Sequence, residues 1–200
     1  DAGAVVRFVP IKDEDCTLNL DILQSLLTER TKLVAVGCAS NAVGTINPVR
    51  DIADWAHRVG ALVFLDAVHY APHTLIDVQA LGCDFLACST YKFFGPHLGV
   101  LFGRRHLLEK LEAYKVRPAA PTLPDKWMTG TQSHEAIAGA LAAVEYLADL
   151  GRMLAGNDSL DRRAALREAY REIGAYEREL VSRLLAGLDH LRCYSRAVDI

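Results

Sequence analysis

No uninterrupted apolar run in the sequence is long enough to cross a bilayer, and the first residues carry no basic-then-apolar leader. Neither a membrane span nor a secretory route is therefore expected. Neither sign of charge is in excess: 22 Lys and Arg against 25 Asp and Glu leave a formal net charge of -3. That balance gives no electrostatic grip on nucleic acid or an anionic membrane. No C-x-x-C pair occurs among the five cysteines, at positions 16, 38, 83, 88 and 193. An odd count without that spacing argues against a disulfide framework and a zinc knuckle, and favours free thiols in a reducing, cytoplasmic setting. Asn157-Asp158-Ser159 matches a glycosylation sequon, which without a leader is read as chance. The G-x-S-x-G, P-loop and G-x-G-x-x-G patterns are all missing, which removes hydrolase, NTPase and dinucleotide readings from the lead. An initial methionine is missing too. The chain opens at Asp1 and enters an apolar run almost at once, as a cut through a longer fold would.

What is present is apolar, 51% of 200 residues, enough for one sizeable core. Val5–Pro10 reads as a strand. Asn19 stands where it can cap a helix whose Ile22, Leu23, Leu26 and Leu27 recur at helical spacing. Leu33–Cys38, Ala61–Leu65 and Phe85–Cys88 are short continuous apolar runs bounded by turn residues, the pattern of buried strands. Between them lie a loop of small and polar residues, Ala39–Asn47, and a helix from Pro48 to about Val59 stopped by Gly60. An irregular connection with His69, Tyr70, Pro72 and His73 then leads to a short segment at Val78–Leu81. Leu98–Phe102 follows too closely for a helical crossover and is expected to return antiparallel. Beyond it the spacing predicts a helix from Arg104 to about Tyr114 and a proline-containing loop over Val116–Lys126. An alanine-rich helix over Gln132–Leu150, stopped by Gly151, and a long amphipathic helix over Asp158–Leu188 with the i,i+4 pair Glu179–Arg183 complete the pattern.

The fold class is α/β: a mostly parallel sheet flanked by helices, with both sheet faces covered because the strands are continuously apolar. Residues 1-150 are expected to form one body. Residues 151-200 are expected to supply a long linking helix toward a small C-terminal domain, whose first strand begins near Leu191.

Parallel strands would deliver three sets of polar residues to one sheet edge, where open α/β sheets place their ligands. These are Ser40 and Asn41 after the first strand, Asp66 and His69 after the second, and Ser89, Tyr91 and Lys92 after the third. A lone carboxylate beyond an apolar strand needs a cation or strong donors. One account pairs Asp66 with Lys92 as an ordinary ion pair, or uses it to cap a following turn. The other gives each a separate partner on one flat ligand. Asp66 would hold the protonated ring nitrogen of pyridoxal 5'-phosphate, and Lys92, its ammonium form disfavoured by burial, would join the aldehyde as an internal aldimine. His69 and His73 are four apart, but Pro72 breaks the helix that would align them on a metal, so no metal site is expected. His57 and His106 fall in helical patterns as solvated or packed side chains. Cys38 and Cys88 fall in strands, where a thiol packs as a small inert hydrophobe.

Three motifs then agree in order and approximate spacing across residues 1–150. They are Ser40-Asn41-Ala-Val-Gly44-Thr45-Ile-Asn47-Pro48, then Phe64-Leu65-Asp66-Ala67-Val68-His69, then Ser89-Thr90-Tyr91-Lys92-Phe93-Phe94-Gly95-Pro96. Together they resemble the class V aminotransferase family of pyridoxal phosphate enzymes (fold type I), and within it the cysteine desulfurase-like proteins. The resemblance implies roles. Lys92 is the Schiff-base lysine and proton shuttle, and Asp66 pairs with the pyridinium. Asn41 and His69 hydrogen-bond the phenolic oxygen, Ser89 and Tyr91 serve the phosphate, and Thr131 reaches the phosphate of the neighbouring subunit in a homodimer. A helix start suits an anion there. It also implies that 1-150 is the C-terminal part of a cofactor-binding large domain.

Two positions depart from the desulfurase pattern: Tyr91 stands where histidine is usual, and His69 where glutamine is common. A phenol still donates to phosphate, and kynureninase-like relatives use tyrosine in this way. His69 adds a possible acid or base near the ring, which makes it a catalytic candidate beside Lys92. The earlier part of the large domain and the small domain are expected outside this segment. With them would lie the substrate-carboxylate arginine and the persulfide cysteine. The expected function is therefore an amino-acid enzyme, cysteine desulfurase or selenocysteine lyase-like, with the segment alone inactive. The alternatives are another class V reaction (kynureninase-like cleavage, epimerisation or transamination) or a non-catalytic α/β fragment.

Overall fold

The computed structural model describes residues 3–128 and 130–188. Its centre is a four-stranded sheet in the order β1 (Leu33–Gly37), β2 (Leu62–Asp66), β3 (Phe85–Ser89) and β4 (Gly99–Gly103). The first three run parallel and β4 returns antiparallel. The nine residues between β3 and β4 leave no room for a crossover helix, so reversal is the only way back.

The register fixes which side chains share a face. Val34, Val36, Val63, Leu65, Leu86, Cys88 and Phe102 point one way and form the core with Val49, Ala53 and Ala56 of α2 (Val49–Arg58). Helix α2 begins after Pro48 and stops at Val59 and Gly60, the latter at φ +76°. On the opposite face Leu33, Ala35 and Leu101 are exposed and Phe64 half-buried, its ring 6.4 Å from Phe85. Among the described residues one face is closed over and the other is not, contrary to the expectation of two covered faces. Continuous hydrophobicity states what a strand is able to bury; it does not supply the covering layer.

At the amino edge of the sheet Asp84 is buried and joins three elements. Its carboxylate accepts from the Val63 amide of β2 (2.8 Å), meets His57 Nε2 of α2 (2.9 Å) and pairs with Arg104 Nε just after β4 (3.1 Å). His57 is thus neither free nor merely packed: it belongs to this staple.

The helices follow their local signals, with informative exceptions. Asn19 caps α1 (Leu20–Leu26) by accepting from the Ile22 amide, and Asp77 caps the one-turn α3 (Val78–Leu81). Val5–Pro10 is not a strand. Val5, Val6 and Phe8 are exposed, because a strand exists only through a neighbour's hydrogen bonds and none of the described strands lies alongside. Helix α4 (Arg105–Lys110) ends earlier than Tyr114. Lys126 Nζ takes the Leu108 and Glu109 carbonyls and Trp127 Nε1 also takes that of Leu108, so loop side chains cap the helix. Helix α5 (His134–Ala155) runs straight through Gly151. That glycine is buried where α6 (Arg162–Leu188) crosses, and a Cβ there would collide with the Ala165 carbonyl. The left-handed stop is Gly156, at φ +60°. The pair Glu179–Arg183 forms at 3.9 Å. The strand expected near Leu191 lies outside the described residues.

Helix α6 is also tied to the connection after β2. Tyr170 donates its hydroxyl to the Ala71 carbonyl (2.9 Å), Arg163 pairs with Asp77 (2.6 Å) and His73 Nδ1 meets Glu177 (2.9 Å). That last contact ties the His73 ring to α6 through Nδ1.

Candidate active site

Strand register brings the three polar sets level. Gly37, Asp66 and Ala87 occupy one row across β1, β2 and β3, so the segments that follow leave the same edge side by side. Asp66 is exposed at the end of the middle strand. Its Oδ1 accepts from the Val68 amide (2.9 Å), a short turn cap that fixes the carboxylate and leaves Oδ2 with no hydrogen bond or ion pair among the described residues. Alternation along the strands puts Asp66, Ala87 and Ser89 on one face, with Ser89 one pair further along, opposite Gly99. His69 is half-buried in a turn held by the Tyr70 and Ala71 amides on the Ala67 carbonyl (3.1 and 2.8 Å).

On the other flank, the loop after β1 folds back on itself. Ala39 and Ile46 form a bridge, the Ser40 amide donates to the Thr45 carbonyl (2.9 Å), and the Ser40 hydroxyl accepts from Ala42 and Val43. Asn47 Nδ2 anchors the base of the loop to the Gly37 carbonyl (2.8 Å). Asn41 rides exposed at the tip, its amide group unused by the fold.

Beyond β3 the chain enters a 3-10 turn, Thr90–Phe93, and reverses at Phe94, which holds φ +67°. Lys92 is half-buried, with Nζ 5.1 Å from the Tyr91 ring centroid. The Tyr91 ring is stacked on His97 at 4.9 Å and 12°. Among the described residues Lys92 makes no ion pair, with Asp66 or with any other carboxylate. The ordinary ion-pair account of those two residues is therefore not what the structure has, while the turn-capping account of Asp66 is.

Thr131 is exposed and follows Gly130, whose φ is +72°. The helix cap is Ser133, whose hydroxyl accepts from the Ala136 amide, so Thr131 lies two residues ahead of the cap. No hydrogen bond or ion pair among the described residues joins Thr131 to the Lys92 edge. The structure thus brings the segments that carry Asn41, Asp66, His69, Ser89, Tyr91 and Lys92 to one edge, and no such bond links Thr131 to it. Two residues at this edge escaped the sequence reading. His97 backs Tyr91, and Thr90 is buried inside the lysine turn. Their signal is a turn that folds back on itself, which neighbouring letters do not spell.

The thiols near this edge are chemically quiet. Burial, followed by the negative charges at Cys83 and Asp66, pushes Cys38 up to about 12, and burial likewise raises Cys88 and Cys83. A hollow of about 190 Å³ lies beside Cys16, Ser40 and Thr45 and another of about 320 Å³ beside Met128 and Gly130; neither is lined by Lys92 or Asp66. The donor set fits pyridoxal 5'-phosphate: a carboxylate with a free oxygen, an unpaired amine on the adjacent strand end, and a hydroxyl on the same sheet face as the carboxylate.

Comparison with known proteins points the same way. The family profile described as Aminotransferase class-V matches residues 1–182. A probable cysteine desulfurase of Halalkalibacterium halodurans is 38% identical over 161 residues, covering 74% of this chain and 39% of that protein. A nonribosomal peptide synthetase-like enzyme of Aspergillus fumigatus, fsqF, is 49% identical over 107 residues, 52% of this chain and 7% of that protein. Among solved structures, the apo cysteine desulfurase of Thermococcus onnurineus NA1 superposes with a TM-score of 0.72 at 26% identity. It covers 92% of this chain and 44% of its own. The chain therefore spans well under half the length of these relatives.

Proposed function

The chain belongs to the class V aminotransferase family, in its cysteine desulfurase-like branch, and on that footing we propose that the intact protein is a pyridoxal 5'-phosphate enzyme that removes sulfur from cysteine. The observation that carries the reading is the pairing of an uncommitted carboxylate and an uncommitted amine on adjacent parallel strand ends, Asp66 and Lys92.

When bound, the cofactor supplies an electron-accepting ring and an aldehyde that an amine condenses with. Asp66, already oriented by the Val68 amide, presents its second oxygen to a protonated ring nitrogen and keeps the proton there. Asn41, in the loop after β1, and His69, in the turn after β2, would be the donors to the ring's phenolic oxygen. Ser89 and Tyr91 hold the phosphate through their hydroxyls, and Thr131 does so for the neighbouring subunit of a homodimer. Lys92 would supply the amine for that aldehyde through Nζ and would carry a proton at that atom. His69 is a second acid or base, from the turn after β2.

On this reading residues 1-150 are the C-terminal part of the cofactor-binding domain, and residues 151-200 the linking helix and start of a small domain. The segment alone is inactive, because the substrate's carboxylate and sulfur are handled elsewhere in the protein. A cytoplasmic setting follows from the free thiols. Among the described residues no helix is long and apolar enough to cross a membrane.

A second reading has its own support. Tyr91 and His69 depart from the desulfurase pattern, and the fungal relative is named a nonribosomal peptide synthetase-like enzyme rather than a desulfurase. The same scaffold would then perform a kynureninase-like cleavage, epimerisation or transamination. Incubating the intact protein with cysteine separates the two. Equimolar alanine and sulfide or persulfide supports desulfuration. Turnover of other amino acids without sulfur release favours the second. Colourless protein with no borohydride-fixed adduct at Lys92 would leave a non-catalytic scaffold.

A further inference from the structure

Among the described residues the Lys92 side chain makes no hydrogen bond or ion pair, so what fixes its place is the turn around it. We propose that Thr90 is the positioning residue for Lys92, acting through its buried hydroxyl; this rests on the reading of Lys92 as the cofactor-bearing amine. Thr90 is 2% exposed. Its amide donates to the Leu98 carbonyl (2.9 Å) and its own carbonyl accepts from the Gly95 amide (2.9 Å). Its hydroxyl donates across the turn to the Pro96 carbonyl (2.6 Å), with the Leu98 carbonyl at 3.2 Å. Every one of these bonds ties residue 90 to residues 95–98, and Lys92 sits inside the closed ring.

Packing reinforces the closure. A Cβ on Gly95 would fall 2.7 Å from the Thr90 Cβ, so the two residues fit only because position 95 has no side chain. From outside, α5 leans on the turn where Gly139 meets Pro96, a contact that an added Cβ would tighten to 3.1 Å. The Pro96 carbonyl already accepts from the Leu98 amide, and the Leu98 carbonyl from the Thr90 amide. The hydroxyl therefore adds a cross-link rather than rescuing an orphan. Its loss should loosen the turn without unfolding the sheet.

The test uses the intact protein, first free of cofactor and then reconstituted with pyridoxal 5'-phosphate. Thr90→Val keeps the shape and removes the donor, Thr90→Ala removes it with no steric risk to folding, and Thr90→Ser keeps it. In the cofactor-free protein, amide exchange at Thr90 and Gly95 should rise on the order of tenfold in the Val and Ala variants, with Leu65 in β2 unchanged. On reconstitution, borohydride-trappable attachment at Lys92 should slow by about tenfold or more in both, because a small misplacement of a reacting atom is costly. Thr90→Ser should restore both readouts. Wild-type exchange and attachment rates in the Val and Ala variants overturn the proposal. So does a Ser variant as impaired as the others, because the hydroxyl it keeps would then not be what holds the turn. If the unmodified protein itself never attaches at Lys92, the cofactor reading fails, and the exchange measurement alone decides whether Thr90 sets the turn.

Discussion

Asp84 enters β3 at the amino edge of the sheet with its side chain 7% exposed, and its carboxylate is held by Val63, His57 and Arg104 from three different elements. Asp66 leaves the neighbouring strand at the opposite edge, exposed, with one oxygen on Val68 and no cation. The residue type and the sheet are the same. What differs is whether the fold supplies the partners. A buried carboxylate with a full set of donors is bound into the scaffold, and removing it strands the groups around it. A carboxylate steadied by one local amide costs little to keep and remains available to a ligand. Lys92 follows the second pattern, with an amine over a ring and no carboxylate of its own. The chemistry gathers where the fold has left polar atoms uncommitted.

That contrast is open to direct attack. The largest effect should come from Lys92→Ala in the intact protein, with turnover falling by about 10⁴-fold and the melting temperature moving by less than ~2 °C. Persistent turnover would remove Lys92 from the chemistry. Asp66→Ala should lower kcat/KM by roughly 10²–10³-fold, while its cofactor-free stability stays within about 0.5 kcal/mol of wild type. Unaltered kinetics and an unaltered visible spectrum would show that its free oxygen has no ligand. Asp84→Ala should do the reverse, costing about 3 kcal/mol in denaturant unfolding; any protein that remains folded should keep its cofactor spectrum. If Asp84 and Asp66 variants proved equally destabilising, the division between the two edges would collapse.

The smallest effect concerns pH. Burial raises Cys38 from 9.0 to about 12 and Tyr170 from 10.0 to about 12. With both pKa values higher in the folded state, the unfolded chain loses these protons first, and stability declines as pH rises from about 9 toward 12. Melting temperature should fall across that window, and Cys38 should resist alkylation in the native protein at about pH 8. Rapid labelling there would contradict its burial.

Much of this arrangement was readable in the letters. The apolar runs beginning at Leu33, Ala61 and Phe85 are strands within a residue or two, and the short return to β4 dictated its direction. Asp66 and Lys92 were legible because each directly follows a strand, where topology alone fixes the edge. Gly151 was misread because a glycine after an alanine-rich stretch looks the same whether it ends a helix or admits a neighbour; only the crossing of α6 distinguishes them. Asp84 drew no reading from the sequence, since its partners lie 21 to 27 positions back and 20 ahead. Thr90, between two named residues, gave no sign because its hydroxyl is used six and eight residues downstream. Val5–Pro10 had the composition of a strand without a described neighbour to make it one.

The contacts of α6 with Ala71, His73 and Asp77 have a mechanical corollary. They grip the chain two to eight residues downstream of His69, while the β2–β3 ladder grips it just upstream through the Ala67 amide on Ala87. His69 is therefore held from both sides, by the sheet upstream and by the long helix downstream, and the placing of its imidazole is shared between two parts of the fold.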